Sequence, residues 1–371
     1  MEAHGNEVVR YTVSNDVFDE AGVFRKLLLT LGMLWSFRHY REVGSLIRKE
    51  CPDIVHVHTF FPLLSPSVLY AAKRAGCKVV ATLHDTRFVC PCATSLRGGK
   101  LCNACGDGHY LRMCRYRCYK GSGIQSLIVA LIFRYHRARK SFYQQIDRYI
   151  CLNDSQISLL QNVGFDEGKI VKKYNYVPDV AAEVMFPGLD ELPERYVVYY
   201  GRIGEEKGIG LLMEIWNRLP DIPLIVMGGG PMEKNFSEWA ASRKQVYYLG
   251  YVQHERCLAV VKGGEFVVFP SVWYEGCSMV EIEAESLGVP LVATDLGFSS
   301  EAVEEGVNGC RIPLGDVNGF VEKIRELWDR PGLCRQMGEN ARRDYEAKYR
   351  PEDNYRQLMA VYERLEDKVI G

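Results

Sequence analysis

Apolar residues along this chain follow two alternating rhythms. Short apolar runs mark buried strands at Lys78–Leu83, Asp147–Leu152, Tyr196–Tyr200, Leu224–Met227 and Val246–Leu249, and Cys51–His58 reads as a turn and a buried strand. Between them the spacing turns helical. Residues 23–49 space Phe24, Leu27, Leu28, Leu31, Leu34 and Trp35 as one helical face. Further helices are predicted near Ser67–Ala75, after an Asn153-Asp154-Ser155 cap, and through most of 316–368. Strand alternating with helix predicts an α/β protein whose parallel, doubly wound sheets hold ligands at strand C-terminal ends. His58 and His84 both stand at such ends. At the start, residues 1–7 read as a helix end closed by Gly5, and Val8–Val13 as a strand.

The densest chemistry lies between Phe269 and Pro290. An apolar run ends at Phe269-Pro270-Ser271, and a turn through Trp273-Tyr274-Glu275-Gly276 precedes a helix starting at Cys277 or Ser278, which Ser278 is expected to cap. At about 100° per residue, Met279, Val280, Glu283, Ala284 and Leu287 share one arc, while Glu281 and Glu285 point away. A carboxylate in that apolar stripe costs several kcal/mol unless hydrogen-bonded. Glu275 stands just ahead of the helix N-terminus, where free N–H groups and the dipole suit a phosphate. Two carboxylates beside an anion site suit the hydroxyls flanking a diphosphate, as in a nucleotide-sugar. The plainer reading is a strand-turn-helix with a buried Glu paired to an Arg.

Three glycine turns support the first reading. Gly201-Arg202-Ile203-Gly204-Glu205-Glu206-Lys207-Gly208 follows a strand and supplies a guanidinium and an ammonium for a diphosphate. Gly228-Gly229-Gly230-Pro231 permits close backbone approach, and Gly250-Tyr251-Val252 ends the next strand. No Asp-x-Asp occurs in the chain, so no catalytic metal is expected.

Composition narrows the class. The chain has 371 residues, enough for two domains with sizeable cores, and 46 Lys/Arg against 47 Asp/Glu argue against a general polyanion binder. No apolar run approaches a membrane span and no signal peptide is visible, so thirteen cysteines read as thiols of a reducing cytosol. Charge is nonetheless uneven. Residues 23–49 hold six Lys/Arg with one acidic residue, Glu42, and residues 97–140 hold ten with one, Asp107. No nucleic-acid motif accompanies them. An anionic membrane surface or a lipid-pyrophosphate acceptor fits better, and the plain alternative is a core helix with a solvated basic end. Six cysteines fall between Cys90 and Cys118. Cys102-x2-Cys105 has zinc-knuckle spacing, which Cys90 or Cys92 plus Cys114 or Cys118 would complete; disulfides and free thiols are the other readings.

Glu275 and Glu283, with the downstream GVPLVATDLG, resemble the E-x7-E signature of retaining glycosyltransferase family 4. The Gly201–Gly208 turn is similar to the family's G-R-x4-K-G element, and PDIVHVH and TLHD look like its cleft-facing strands. Cys277-Ser278 replaces the Phe-Gly of many members. The resemblance implies a GT-B fold of two Rossmann-like domains facing across a cleft. It places an acceptor-side domain at 1–178, a nucleotide-sugar domain at 179–351 after a Pro/Gly-rich linker near 178–194, and 352–371 packing back on the first. It implies that Arg202 and Lys207 neutralise the leaving diphosphate, Glu283 holds the ribose, Glu275 orients the donor sugar, and His84 contacts it from the other lobe. His58 falls on the acceptor side. Gly201, Gly228, Gly229, Gly250, Tyr251, Val252, Gly276, Cys277, Ser278 and Met279 line the donor. Some bacterial members share the cysteine pattern, which favours Cys90, Cys102, Cys105 and Cys118 for a structural zinc. The donor would be a UDP-, GDP- or ADP-sugar, the acceptor a sugar or a lipid-linked polysaccharide precursor, with no nucleic acid, in the cytoplasm or peripherally on the inner membrane face. The family's first strand and Gly-rich loop lie ahead of the matched segment, so the reading start is expected upstream of Met1. A sugar-nucleotide epimerase or phosphorylase of the same fold, or a non-catalytic partner subunit, are the alternatives.

Overall fold

The apolar runs become the strands of two parallel sheets. The first contains β1 (Ile54–Val57) and β2 (Lys78–Thr82); a short antiparallel hairpin follows, β3 (Leu96–Arg97) and β4 (Lys100–Leu101); β5 (Arg148–Cys151) and β6 (Ile170–Lys172) complete the sheet in the order β1-β2-β5-β6. The second uses β7 (Val197–Tyr200), β8 (Leu224–Met227), β9 (Val246–Tyr248), β10 (Val267–Phe269), β11 (Leu291–Thr294) and β12 (Gly309–Ile312), in the order β12-β11-β10-β7-β8-β9. Its strands run parallel and are covered on both faces, which is why they read as unbroken apolar runs. Alternate residues serve opposite faces. Val197, Tyr199, Leu224 and Val226 pack with Trp216, Phe236 and Phe320, while Val198, Tyr200, Ile225 and Met227 pack with Val267 and Ala284.

This computed structural model describes residues 1–14, 17, 22–180 and 192–366. By contact the chain divides into two units. One is Met1–Ser95 with Asn103–Lys173 and Tyr355–Gly371; the other is Leu96–Cys102 with Tyr174–Asn354. Most of the linker expected at 178–194, including Pro187 and Gly188, lies outside the described residues. The last helix, Pro351–Glu366, passes from the second unit to the first within its opening turns. In the first unit its Val361 and Leu365 bury against Val80 and Ile150, and the Tyr362 hydroxyl lies 2.6 Å from His56 Nδ1.

Two local expectations fail. Val8–Val13 forms no strand, because nothing among the described residues offers it a ladder. Side chains hold the segment instead: Asn6 donates to the Tyr355 hydroxyl at 2.8 Å, and the Tyr11 hydroxyl bonds Glu42 and lies 2.7 Å from His39 Nδ1. The helical pattern over 23–49 is two helices, Val23–Leu34 and Phe37–Glu50. Trp35 is extended, and Ser36 accepts from the His39 N–H, so a fresh N-cap outcompetes continuation.

Candidate functional site

The loops after β7, β8 and β9 lie together at the C-terminal end of the second sheet. Gly201 N–H donates to the Met227 carbonyl, Ile203 N–H to Gly229 and Gly228 N–H to Gly250, at 3.0, 3.0 and 2.7 Å. This interlock leaves no room for a side chain. A Cβ on Gly228 would stand 1.8 Å from the Gly201 carbonyl oxygen, and Gly228 has φ +136°. Beyond the first loop Gly208, at φ +72°, presses on Pro270, whose oxygen would lie 1.8 Å from an added Cβ. That contact brings the turn carrying Lys207 against the turn carrying Glu275.

Their side chains meet. Lys207 Nζ donates to Glu275 Oε1 at 2.6 Å, and the Ser271 hydroxyl donates to the same oxygen at 2.7 Å. Lys207 also sits 5.7 Å from the Phe269 ring centroid and 5.4 Å from that of Trp273. The ammonium is therefore held rather than waving in solvent, and Glu275, only 5% exposed, is satisfied as a carboxylate. Arg202 differs: its side chain stays mostly exposed, in loose contact with Glu206 at 3.4 Å. One cation is fixed in place and one is extended, which suits a fixed and an adaptable contact to a diphosphate.

The helix Met279–Ser286 starts at Ser278, whose side chain makes no capping hydrogen bond, contrary to the expectation. Cys277 is buried, and Asn175 reaches it twice, N–H to Sγ at 3.3 Å and Nδ2 to the carbonyl at 3.2 Å. Met279 is exposed. Glu283 has a largely buried carboxylate 3.5 Å from His254 Nε2. Burial raises its pKa, with His254 and Tyr200 opposing. Sequence reasoning missed His254, which lies three residues past Tyr251 at the start of the helix His254–Gly263. Tyr251 itself is exposed and Val252 partly so. Among the described residues the charged neighbour of Glu283 is His254 rather than an Arg.

A larger correction concerns Glu281 and Glu285. Expected to point away, they are the fully buried ones, and among the described residues none of their four carboxylate oxygens has a partner in good hydrogen-bond geometry, Ser299 and Ser278 lying near Glu281 without it. Glu285 faces the helix Pro331–Lys348, which packs so closely that a Cβ on Gly338 would lie 2.1 Å from the Gly288 carbonyl oxygen, while Glu281 lies near Ser299, Ser278, Glu275 and Lys207. Burial pushes Glu281 up to about 8, against Ser299 and Ser278, which pull the other way, and Glu285 well above the ordinary carboxylate range.

In the first unit, His58 Nδ1 and His84 Nε2 lie 2.9 Å apart with their rings stacked, at the ends of β1 and β2. Burial holds both below the usual imidazole value. They edge a shallow recess lined by Phe60, Phe61, Phe88 and Phe142, with Asp85 and Arg87 beside them. Two neutral imidazoles over an aromatic floor offer hydrogen bonds and stacking surface without net charge.

The cysteine loop folds around turns, Ala93 N–H to Cys90 O at 2.7 Å and Gly108 N–H to Cys105 O at 3.0 Å. Cys90 and Cys92 hydrogen-bond through their side chains, which lowers Cys90 to about 6, and Cys105 and Cys118 act electrostatically on Cys92. Among the described residues no group of three or more His, Cys, Asp or Glu is placed to hold a metal. The thiols of Cys90, Cys102, Cys105 and Cys118 would have to draw together to ligate zinc.

Comparison with known proteins agrees with this architecture. Residues 1–179 match the family described as Glycosyltransferase Family 4, and residues 183–344 that described as Glycosyl transferases group 1. Alpha-D-kanosaminyltransferase of Streptomyces kanamyceticus is 25% identical over 346 residues, covering 90% of this chain and 82% of that protein. D-rhamnosyltransferase WbpZ of Pseudomonas aeruginosa is 27% identical, over only 43% of this chain and 42% of its own length. The structure of Anabaena HepE in complex with UDP-glucose superposes with TM-score 0.64 at 17% identity, over 93% of this chain and 89% of that one. Sucrose-phosphate synthase from Thermosynechococcus elongatus gives TM-score 0.66 at 17% identity, over 89% and 77%.

Proposed function

The chain is a family 4 type glycosyltransferase with the GT-B fold, and from that premise we propose that it transfers a sugar from a nucleotide-sugar with retention of anomeric configuration. The observation that carries this reading is the contact of Lys207 and Ser271 with Glu275 beside the interlocked Gly201, Gly228 and Gly250 loops. A diphosphate entering there meets backbone groups unscreened by side chains, the exposed Arg202 guanidinium and a pre-positioned ammonium. Lys207 is already oriented by Glu275, so no reorganisation is needed as charge develops on the leaving phosphate.

The bond broken joins the anomeric carbon to the diphosphate oxygen, which leaves with the electron pair. The bond formed joins that carbon to an acceptor hydroxyl oxygen on the same face, and the hydroxyl proton is released. Glu283, near His254, is assigned to the ribose hydroxyls and Glu275 to the donor sugar. His84 and His58 are assigned to the sugar and acceptor side. The acceptor class we favour is a sugar or a lipid-linked polysaccharide precursor, handled on the cytoplasmic side. No step is routed through a metal. Because the Anabaena neighbour was solved with UDP-glucose, UDP-glucose is the first donor to try, ahead of GDP- and ADP-sugars. The test is proton NMR of the product at early times: an axial donor should give an axial product, and an inverted product would overturn retention.

A further inference from the structure

Nine of the sixteen large apolar side chains exposed among the described residues fall within Leu28–Phe37 or Leu111–Tyr135 of the first unit. Scattered surface apolar residues need no explanation, but such a concentration does. The helix Gly123–Ala138 carries most of it. Ile124, Leu127, Leu131 and Tyr135 are all exposed, Ile124 by 75% and Leu131 by 50%. At 3.6 residues per turn they fall within an arc of about 80° and run along roughly 16 Å of the helix. The opposite face is not available for rotation into solvent: Val129, Ala130, Ile132 and Phe133 are buried in the core.

A second helix of the same unit also exposes apolar side chains. His136, near the end of this helix, donates Nε2–H to the Leu34 carbonyl at 2.9 Å, docking it on the C-terminus of the helix Val23–Leu34. Leu28 and Leu31 are exposed on that second helix, and Phe37 follows it, 69% exposed. Charge then selects the occupant. Residues 111–140 contain eight Lys/Arg and no Asp or Glu. Arg115, Arg117 and Lys120 are exposed ahead of the apolar stripe, and Arg134, Arg139 and Lys140 near its far end. A second copy of this chain would set two such basic faces against each other with no carboxylate between them. No described helix is long and apolar enough to cross a membrane.

We propose that the outer face of the Gly123–Ala138 helix docks this protein on an anionic phospholipid surface. The apolar stripe enters the acyl boundary, and the basic residues at its two ends contact the headgroups. The surface belongs to the first unit and the proposed nucleotide-sugar site to the second, so either assignment can fail without the other.

The experiment is co-sedimentation of the full chain with phosphatidylcholine vesicles, with and without phosphatidylglycerol. Binding should require the anionic lipid and weaken with salt, since screening sets in over about 8 Å at physiological ionic strength. The pair Ile124→Ser and Leu131→Ser should weaken binding at least about tenfold, and Arg134→Gln with Arg139→Gln should weaken it and flatten the salt dependence. All substituted residues are exposed, and an unchanged circular dichroism spectrum and melting temperature confirm folding. Equal binding to neutral and anionic vesicles, or variants that bind normally, would overturn the proposal. A dimer seen by light scattering that the serine pair dissociates would reassign the face to a second copy. Nucleic acid captured by a protein indifferent to vesicles would overturn it as well.

Discussion

Lys207 and Glu275 hold each other where a diphosphate would need them, so their substitutions should separate binding from folding. Lys207→Ala removes a charge-assisted contact, and Glu283→Ala removes the expected ribose contact. Each should weaken nucleotide binding by about 1.5–3 kcal/mol in calorimetry with UDP, GDP and ADP. Unchanged affinity in both would dismiss the donor assignment. Glu281 tests burial instead. Its folded pKa of about 8 exceeds the ordinary glutamate value near 4.3, so folding favours the protonated form. Stability should be full below that ordinary value, fall as pH rises above it, and reach its lower plateau beyond about 8. Thermal melts of Glu281→Gln should lose much of this slope, with Glu285 contributing the remainder. A melting temperature equally pH-dependent in the variant would contradict the assignment.

At the scale of elements, the site is made by loops that fit only because certain residues lack side chains. Gly208→Ala and Gly228→Ala add a Cβ 1.8 Å from a backbone oxygen at positive φ, so backbone must move. Each should cost about 2–4 kcal/mol by urea denaturation and reduce donor binding as well. Gly306→Ala is the control: φ is +75° but the space around it is open, so only strain of about 1 kcal/mol is expected. Similar costs at all three positions would show that close loop packing is not what these glycines provide. The same scale explains the misread helix. A one-sided apolar stripe predicts one buried face, but Met279–Ser286 is covered on another, where Pro331–Lys348 packs by Glu285 and the Ser299 and Glu275 turns lie by Glu281, and both carboxyls lose their water.

Across the whole molecule, the last helix is the element on which the first sheet depends late in the chain. Leu365→Ala should destabilise the first unit by about 2–4 kcal/mol, since Leu365 buries against Val80 and Ile150. Hydrogen exchange on β2 and β5 would register the loss, and undiminished protection there would dismiss the role. For the reaction as a whole, turnover is expected without added divalent metal. Activity abolished by EDTA and restored by magnesium or manganese would reverse that expectation.

The sequence alone determined what depends on local pattern. Buried parallel strands are continuous apolar runs, so β7, β8 and β5 were readable within a residue or so. The close approach of the Gly201 and Gly228 turns was foreshadowed because loops packed backbone to backbone need residues without side chains. Tertiary structure decided whatever depends on which surface covers which. It made Val8–Val13 a side-chain-anchored segment rather than a strand, because strand identity requires a partner. It gave His254 to Glu283, Cys92 to Cys90, and burial to Glu281 and Glu285. Each of those pairings joins groups whose sequence neighbours predict nothing about their meeting. Burial is set by the packing of a second element, and periodicity within one element contains no record of it.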